Sequence, residues 1–217
     1  MKAIEQHIAA IRQHIPSGVT LICVSKFHTT DSIMQAYEAG EHDFGESRVQ
    51  ELLPKYAAMP KDIRWHFIGH LQTNKVRMLL PCVYMIHSVD SLRLLETIDR
   101  EAEKIQRRIK VLLEVHVAQE ESKSGFTPEE LQALLPQLLQ LNHIEVCGIM
   151  GMATNTEDEE EIRRCFRAIH AAGKQLAPYC TSPLIISMGM SDDYQLAIEE
   201  GSTMVRIGSS IFGERQY

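Results

Sequence analysis

The chain has 217 residues, 44% of them hydrophobic and 6% aromatic, which fits one large α/β domain with an ordinary core. A formal net charge of −7 argues against a nucleic-acid backbone as partner. No apolar run is long enough to cross a bilayer, and the N-terminus from Met1 to His7 lacks the apolar core of a signal peptide. The five cysteines (Cys23, Cys82, Cys147, Cys165 and Cys180) are odd in number and contain no C-x-x-C pair. That excludes a disulfide framework and a zinc knuckle, and a cytoplasmic location is expected.

Ile4, Ile8, Ile11 and Ile15 recur at spacings of four, three and four, so the chain opens with an amphipathic helix, closed by Pro16-Ser17-Gly18. Strand and helix patterns then alternate to the end. The strand-like runs are 20–26, 42–47, 64–71, 83–89, 109–117, 144–152, 184–188 and 203–207, with helix-like runs between consecutive members. Cys23 and Cys147 lie inside such runs and read as small buried hydrophobes. Thr127-Pro128-Glu129-Glu130 combines an N-cap, a first-turn proline and a capping-box glutamate. Thr156-Glu157-Asp158-Glu159 repeats the box without the proline, and the acidic run from Glu157 to Glu161 reads as a solvated helix start. Gly40, Gly173 and Gly201 fall near expected helix ends. With no linker or low-complexity tract, one domain over 1–217 is expected. Eight strands, the intervening helices and an N-terminal helix match a (β/α)₈ TIM barrel. A doubly wound sheet would announce a nucleotide by a glycine-rich turn after its first strand, and Lys26-Phe27-His28-Thr29-Thr30 has no glycine.

In a barrel, function gathers where strands end, and a phosphate commonly follows strands seven and eight. The two runs there, Ile185-Ile186-Ser187-Met188-Gly189-Met190-Ser191 and Met204-Val205-Arg206-Ile207-Gly208-Ser209-Ser210, are rich in Gly and Ser, which let backbone N–H groups approach an anion. The first strand delivers Lys26 on the face of Ile22 and Val24. In an apolar mouth its amine becomes a nucleophile toward carbonyls, unless it only snorkels at the surface. Lysine and cradle together suggest a phosphorylated carbonyl compound held as a Schiff base. Arg206 lies on the face of Gly208, where pairing with a buried acid such as Glu114 is an equal reading. His66 shares a strand face with His70, as Met85 does with His87, but that spacing suits no metal and none is expected; hydrogen bonding to neighbouring loops is the blander role. Lys123-Ser124-Gly125-Phe126 is a second basic loop near the same mouth.

Several segments in order resemble the pyridoxal-phosphate homeostasis protein family, a barrel group similar to the N-terminal domain of bacterial alanine racemase. They are Val24-Ser25-Lys26, Phe44-Gly45-Glu46-Ser47-Arg48-Val49-Gln50-Glu51, Trp65-His66-Phe67-Ile68-Gly69-His70-Leu71-Gln72-Thr73-Asn74-Lys75 and His87-Ser88-Val89-Asp90. Further on come Lys123-Ser124-Gly125-Phe126, Gly148-Ile149-Met150-Gly151-Met152, Ser187-Met188-Gly189-Met190-Ser191, Val205-Arg206-Ile207-Gly208 and Phe212-Gly213. The resemblance implies that Lys26 carries pyridoxal 5'-phosphate as a Schiff base and that Arg206 faces the pyridine nitrogen. It implies that Ser187, Gly189, Gly208 and Ser209 surround the phosphate, and that Ser47 and His70 also belong to the cofactor-binding set. The family usually has asparagine where this chain has Ser47, so any ring contact there would be lost or bridged by water.

A guanidinium stays protonated and would leave the ring nitrogen neutral, a weaker electron sink than a pyridinium. Racemases of this type use a tyrosine from a C-terminal β-domain as second acid/base, and a sequence ending at Tyr217 is not expected to supply one. The resemblance therefore implies a role in pyridoxal phosphate homeostasis, buffering or delivering the cofactor without substantial catalysis. Expected partners are pyridoxal phosphate and apo pyridoxal-phosphate enzymes as acceptors, with no nucleic acid or membrane, and the chain is expected to be monomeric. Two alternatives stand beside it. One is a pyridoxal-phosphate racemase or lyase acting on amino acids; the other is a cofactor-free Schiff-base aldolase acting on a phosphorylated sugar.

Overall fold

The computed structural model describes residues 3–117 and 124–213. Eight parallel strands close into a barrel in sequence order: β1 (Thr20–Val24), β2 (Asp43–Glu46), β3 (Arg64–Phe67), β4 (Met85–Val89), β5 (Ile109–Val115), β6 (Ile144–Gly151), β7 (Ile185–Ser187) and β8 (Met204–Ile207). β1 closes the ring against β8, with Cys23 opposite Ile207. The expected TIM barrel is thus the observed fold, and every expected strand is present. Several end earlier than the apolar runs suggest. Lys26 lies two residues past β1, and Ile68 to Leu71 form a loop beyond β3.

The helical layer comprises α1 (Ala3–Arg12), α2 (Thr30–Glu38), α3 (Val49–Ala58), α4 (Val76–Leu79), α5 (Leu92–Lys104), α6 (Pro128–Leu138), α7 (Glu159–Leu176), α8 (Tyr194–Glu199) and α9 (Ser209–Phe212). The isoleucine stripe is buried at Ile8 and Ile11 of α1 and at Ile15 just beyond it. The α6 capping box forms as read: Thr127 Oγ1 accepts from the Glu130 amide, and the Glu130 carboxylate accepts from the Thr127 amide. The second box does not form. Asp158 caps α7, accepting from the Glu160 and Glu161 amides, while Thr156 accepts from the Asp158 amide one turn upstream. Aspartate outranks threonine as an N-cap, and Asp158 adjoins the acidic first turn that the helix dipole favours. Gly40 and Gly201 end helices with φ of 97° and 94°. Gly173 lies in the last turn of α7, where a side chain would press on Ile149 of β6.

Strand alternation sorts the side chains into two regions. Leu21, Cys23, Trp65, Phe67, Val111 and Leu113 face the helices and join the large apolar core. A separate cluster of Met85, Leu112, Cys147 and Met150 fills part of the barrel lumen. Cys23 and Cys147 are buried as expected, and burial drives both thiols up, Cys147 to about 11. Ile22 and Met204 add apolar bulk inside the barrel, and the other inward positions include a polar set. His66, His87, Ser187 and Arg206 are all nearly inaccessible there, and their alternation with Trp65, Phe67, Ile86 and Ile207 on the same strands accounts for their inward direction.

Candidate functional site

A cleft of about 270 Å3 opens at the C-terminal mouth of the barrel, lined by Lys26, Ser47, Arg206, Gly208, Ser209 and Ser191 among others. Five residues singled out from sequence therefore meet in one place. β1 brings Lys26, the β2–α3 loop brings Ser47, β8 brings Arg206, and the turn into α9 brings Gly208 and Ser209. Three others are placed elsewhere. Ser187 is fully buried beneath Arg206 and Gly189 is buried in the turn after β7; neither lines the cleft. Gly189 has φ of 95°, and a Cβ there would strike the Ala197 methyl of α8, so its glycine serves the β7–α8 turn. His70 is 65% exposed, bonds Asp90 at 3.1 Å, and lies beside a neighbouring recess rather than this cleft. It does not continue the face of His66, because the strand ends at Phe67. Ser191, which sequence reasoning quoted but did not select, lies at the cleft with its Oγ 3.4 Å from the Gly208 amide and 3.0 Å from Ser209 Oγ. The signal that could have found it is the hydroxyl pattern itself, a serine two residues past Gly189. Lys123 lies outside the described residues; Ser124 Oγ donates to Glu114 at 3.4 Å.

The backbone on both sides of Lys26 is gripped by α3. Lys55 Nζ donates to the Ser25 carbonyl at 2.9 Å, and the Phe27 amide donates to Glu51 Oε2 at 3.0 Å. Phe27 has φ of 67°, unusual for a residue with a bulky side chain, and that hydrogen bond helps hold it there. Lys55 also pairs with Glu46 at 2.7 Å, and Glu46 accepts from Ser25 Oγ at 2.6 Å through the same oxygen. Glu46 Oε2 is buried with no hydrogen-bond partner, and burial raises the carboxyl's pKa against the pull of Lys55.

Arg206 forms the inner wall of the cleft. Its guanidinium donates from one Nη to the Ser187 carbonyl at 2.8 Å and to Ser187 Oγ at 2.7 Å, and from the other to the Gly151 carbonyl at 3.2 Å. The direct pairing with Glu114 weighed from sequence is not formed. Burial pushes Arg206 down to about 10, offset by the charges of Asp193 and Glu114, so it remains a cation and a donor at neutral pH. Burial and the nearby Asp90 charge raise Glu114 to about 7. At Gly208 a Cβ would lie 3.2 Å from Val24, so glycine leaves that side of the mouth open. Among the described residues no cluster of ligating side chains suits a metal.

The chemistry of this set is narrow: an amine, a buried permanent donor, and a turn of small hydroxyl residues, all on one small opening. It fits pyridoxal phosphate, whose aldehyde, ring nitrogen and phosphate call for those three groups. The volume is near the low end for small-molecule sites, as one substituted ring requires.

The family model described as alanine racemase, N-terminal domain, matches residues 1–216. The pyridoxal phosphate homeostasis protein of Aquifex aeolicus is 42% identical over 199 residues, 91% of this chain and 87% of that protein. The human protein of the same name is 34% identical, over 99% of this chain and 83% of its own. The structure of PipY from Synechococcus elongatus with pyridoxal phosphate bound superposes with a TM-score of 0.89 at 38% identity, covering 97% of this chain and all of that one. Alanine racemase from Corynebacterium glutamicum shares the fold alone, with a TM-score of 0.76 at 16% identity. With such identities across almost its whole length, the chain belongs to the pyridoxal phosphate homeostasis protein family, built on the alanine racemase N-terminal domain.

Proposed function

We propose that this chain binds pyridoxal 5'-phosphate at the barrel mouth through a Schiff base on Lys26, and buffers or delivers the cofactor without substantial catalysis of its own. The observation that carries the reading is the meeting of Lys26, Arg206, Gly208 and Ser209 on one cleft. Arg206 would face the ring nitrogen as donor. Gly208, Ser209 and Ser191 would surround the phosphate, with Ser47 beside the ring. Ser187, Gly189 and His70, also expected in the binding set, would act from outside the cleft. When bound, the cofactor supplies an aldehyde that exchanges between amines. The neutral ring nitrogen that an arginine favours makes it a poor electron sink, which suits carriage better than turnover. The relatives' common name and the cofactor in PipY support this reading. Apo pyridoxal-phosphate enzymes would be the acceptors, and a monomer is sufficient for such a role.

Lys26→Ala is the direct test. Wild-type protein loaded with pyridoxal phosphate and then desalted is expected to keep the cofactor, and the variant to lose it at least tenfold faster. Equal retention would sink the covalent claim. The racemase or lyase reading draws on the alanine racemase fold. It requires exchange of an amino acid's α-proton with solvent, which proton NMR in heavy water would register; no exchange is expected.

A further inference from the structure

Polar side chains cross the barrel lumen from the cleft to the opposite mouth in unbroken hydrogen-bond contact. Arg206 donates to Ser187 Oγ at 2.7 Å, and Ser187 Oγ lies 3.2 Å from His87 Nδ1. His87 Nε2 lies 2.8 Å from His66 Nδ1, and His66 Nε2 lies 3.0 Å from Asp43 Oδ1. Arg64, at the N-terminal end of β3, closes the line with two bonds of 2.6 Å to Asp43. Four of the barrel's strands beyond β2 contribute, and the His66 and His87 rings meet edge-on at 80°.

The two ends fix the direction. A guanidinium can only donate. Burial disfavours an ionised Asp43, but hydrogen bonds from Arg64 and His66 outweigh it and hold the carboxyl down to about 2, so the carboxylate can only accept. Each neutral imidazole has one donor and one acceptor nitrogen. His66 must then donate from Nε2 to Asp43, which leaves its Nδ1 to accept. His87 must donate from Nε2 to His66, which leaves its own Nδ1 to accept the Ser187 proton. Ser187 keeps lone pairs for Arg206. Every link carries one proton and none is idle. Charging His66 would reverse the arrow and leave the Ser187 proton without its acceptor on His87; burial of both rings opposes that cation.

We infer that Ser187, His87, His66 and Asp43 form a one-way hydrogen-bond chain, with both histidines neutral and protonated at Nε2, that positions the Arg206 guanidinium at the cleft. His87, His66 and Asp43 are positioning residues that touch nothing in the cleft. The chain also explains why a serine adjoining the β7 turn lies fully buried: its hydroxyl is a link beneath Arg206. The tautomer half stands on the lumen alone, and the ligand half rests on the reading of the cleft given above.

Long-range ¹H–¹⁵N spectra of the cofactor-free protein test the first half. Both His66 and His87 are expected to show the neutral Nε2–H pattern at pH 7. An Nδ1–H tautomer or a doubly protonated ring at either position overturns the wiring. For the second half, pyridoxal phosphate is titrated into His87→Phe and, because that variant may not fold, into Asp43→Asn as well. Misaligning one charge-assisted donor is expected to raise the dissociation constant about tenfold in each folded variant, while Arg64→Lys, which keeps a cation on Asp43, changes it less than threefold. Unchanged affinity in folded Asp43→Asn or His87→Phe overturns the positioning role. A wild-type chain that takes up no pyridoxal phosphate refutes the reading of the cleft and the ligand half together, and the tautomers remain decided by the spectra.

Discussion

Glu114 and Asp43 carry opposite pH signatures, each set by what stands next to the carboxylate. Burial and the nearby Asp90 charge raise Glu114 to about 7, above its ordinary value of 4.5, so the folded chain holds that proton more tightly than the unfolded one. Its stabilising contribution is full below about pH 4.5 and is lost as pH rises through 7. Glu114→Gln is therefore expected to leave stability near pH 4 almost unchanged and to add up to about 3 kcal/mol at pH 8. Urea unfolding at the two pH values checks this; an equal change at both would contradict it. Asp43, held down to about 2 against an ordinary 3.8, behaves in reverse. Its contribution, about 2 kcal/mol, is present above about pH 4 and lost as pH falls toward 2, and Asp43→Asn is expected to flatten that acid limb. Neither group was legible in the sequence. The pattern offers Glu114 only as a partner for Arg206 and does not mark Asp43, because both derive their properties from neighbours on other strands.

The β1–α2 turn and helix α3 act as one element around Lys26. Lys55 is buried and holds both the Ser25 carbonyl and Glu46. Lys55→Met would strand the Glu46 carboxylate, at a cost of about 3 kcal/mol at neutral pH that shrinks as pH falls and Glu46, already raised by burial, takes up a proton. Thermal unfolding at falling pH would reveal it, and a pH-independent loss would point to packing alone. Gly69 lies just past β3, and a Cβ there would collide with the Ser47 carbonyl in the loop beside the cleft. Gly69→Ala is expected to lower stability by about 1–3 kcal/mol and to speed cofactor loss, since Ser47 must move. Retention equal to wild type would separate that loop from the site. Sequence patterns found every strand, the first helix and the α6 cap, because apolar periodicity and the Thr-Pro-Glu-Glu signature are local signals. They missed that Asp158 rather than Thr156 caps α7, a choice between two local acceptors, and that Gly173 packs against β6, which depends on where the helix lies in the fold.

Across the whole barrel, two layers of side chains with different tasks share the same strands. The outward residues form an apolar shell that holds the helices, and the inward ones divide between an apolar plug and the polar line from Arg64 to Arg206. Lys26 and Arg206 come from strands that are adjacent only because β1 closes on β8, which is why residues 180 positions apart meet at one cleft. That closure was expected from strand count, and with it five of the eight anticipated binding residues arrive at the cleft. Ser187, Gly189 and His70 fall outside it because strand ends and turn geometry decide on which side of the mouth a residue lies.

The most direct measurement is the visible spectrum of the protein incubated with pyridoxal phosphate, followed by borohydride reduction and peptide mapping. A yellow protein whose reduced pyridoxyl group maps to Lys26 is the predicted result. A protein that stays colourless, or carries its label on another lysine, would contradict the account.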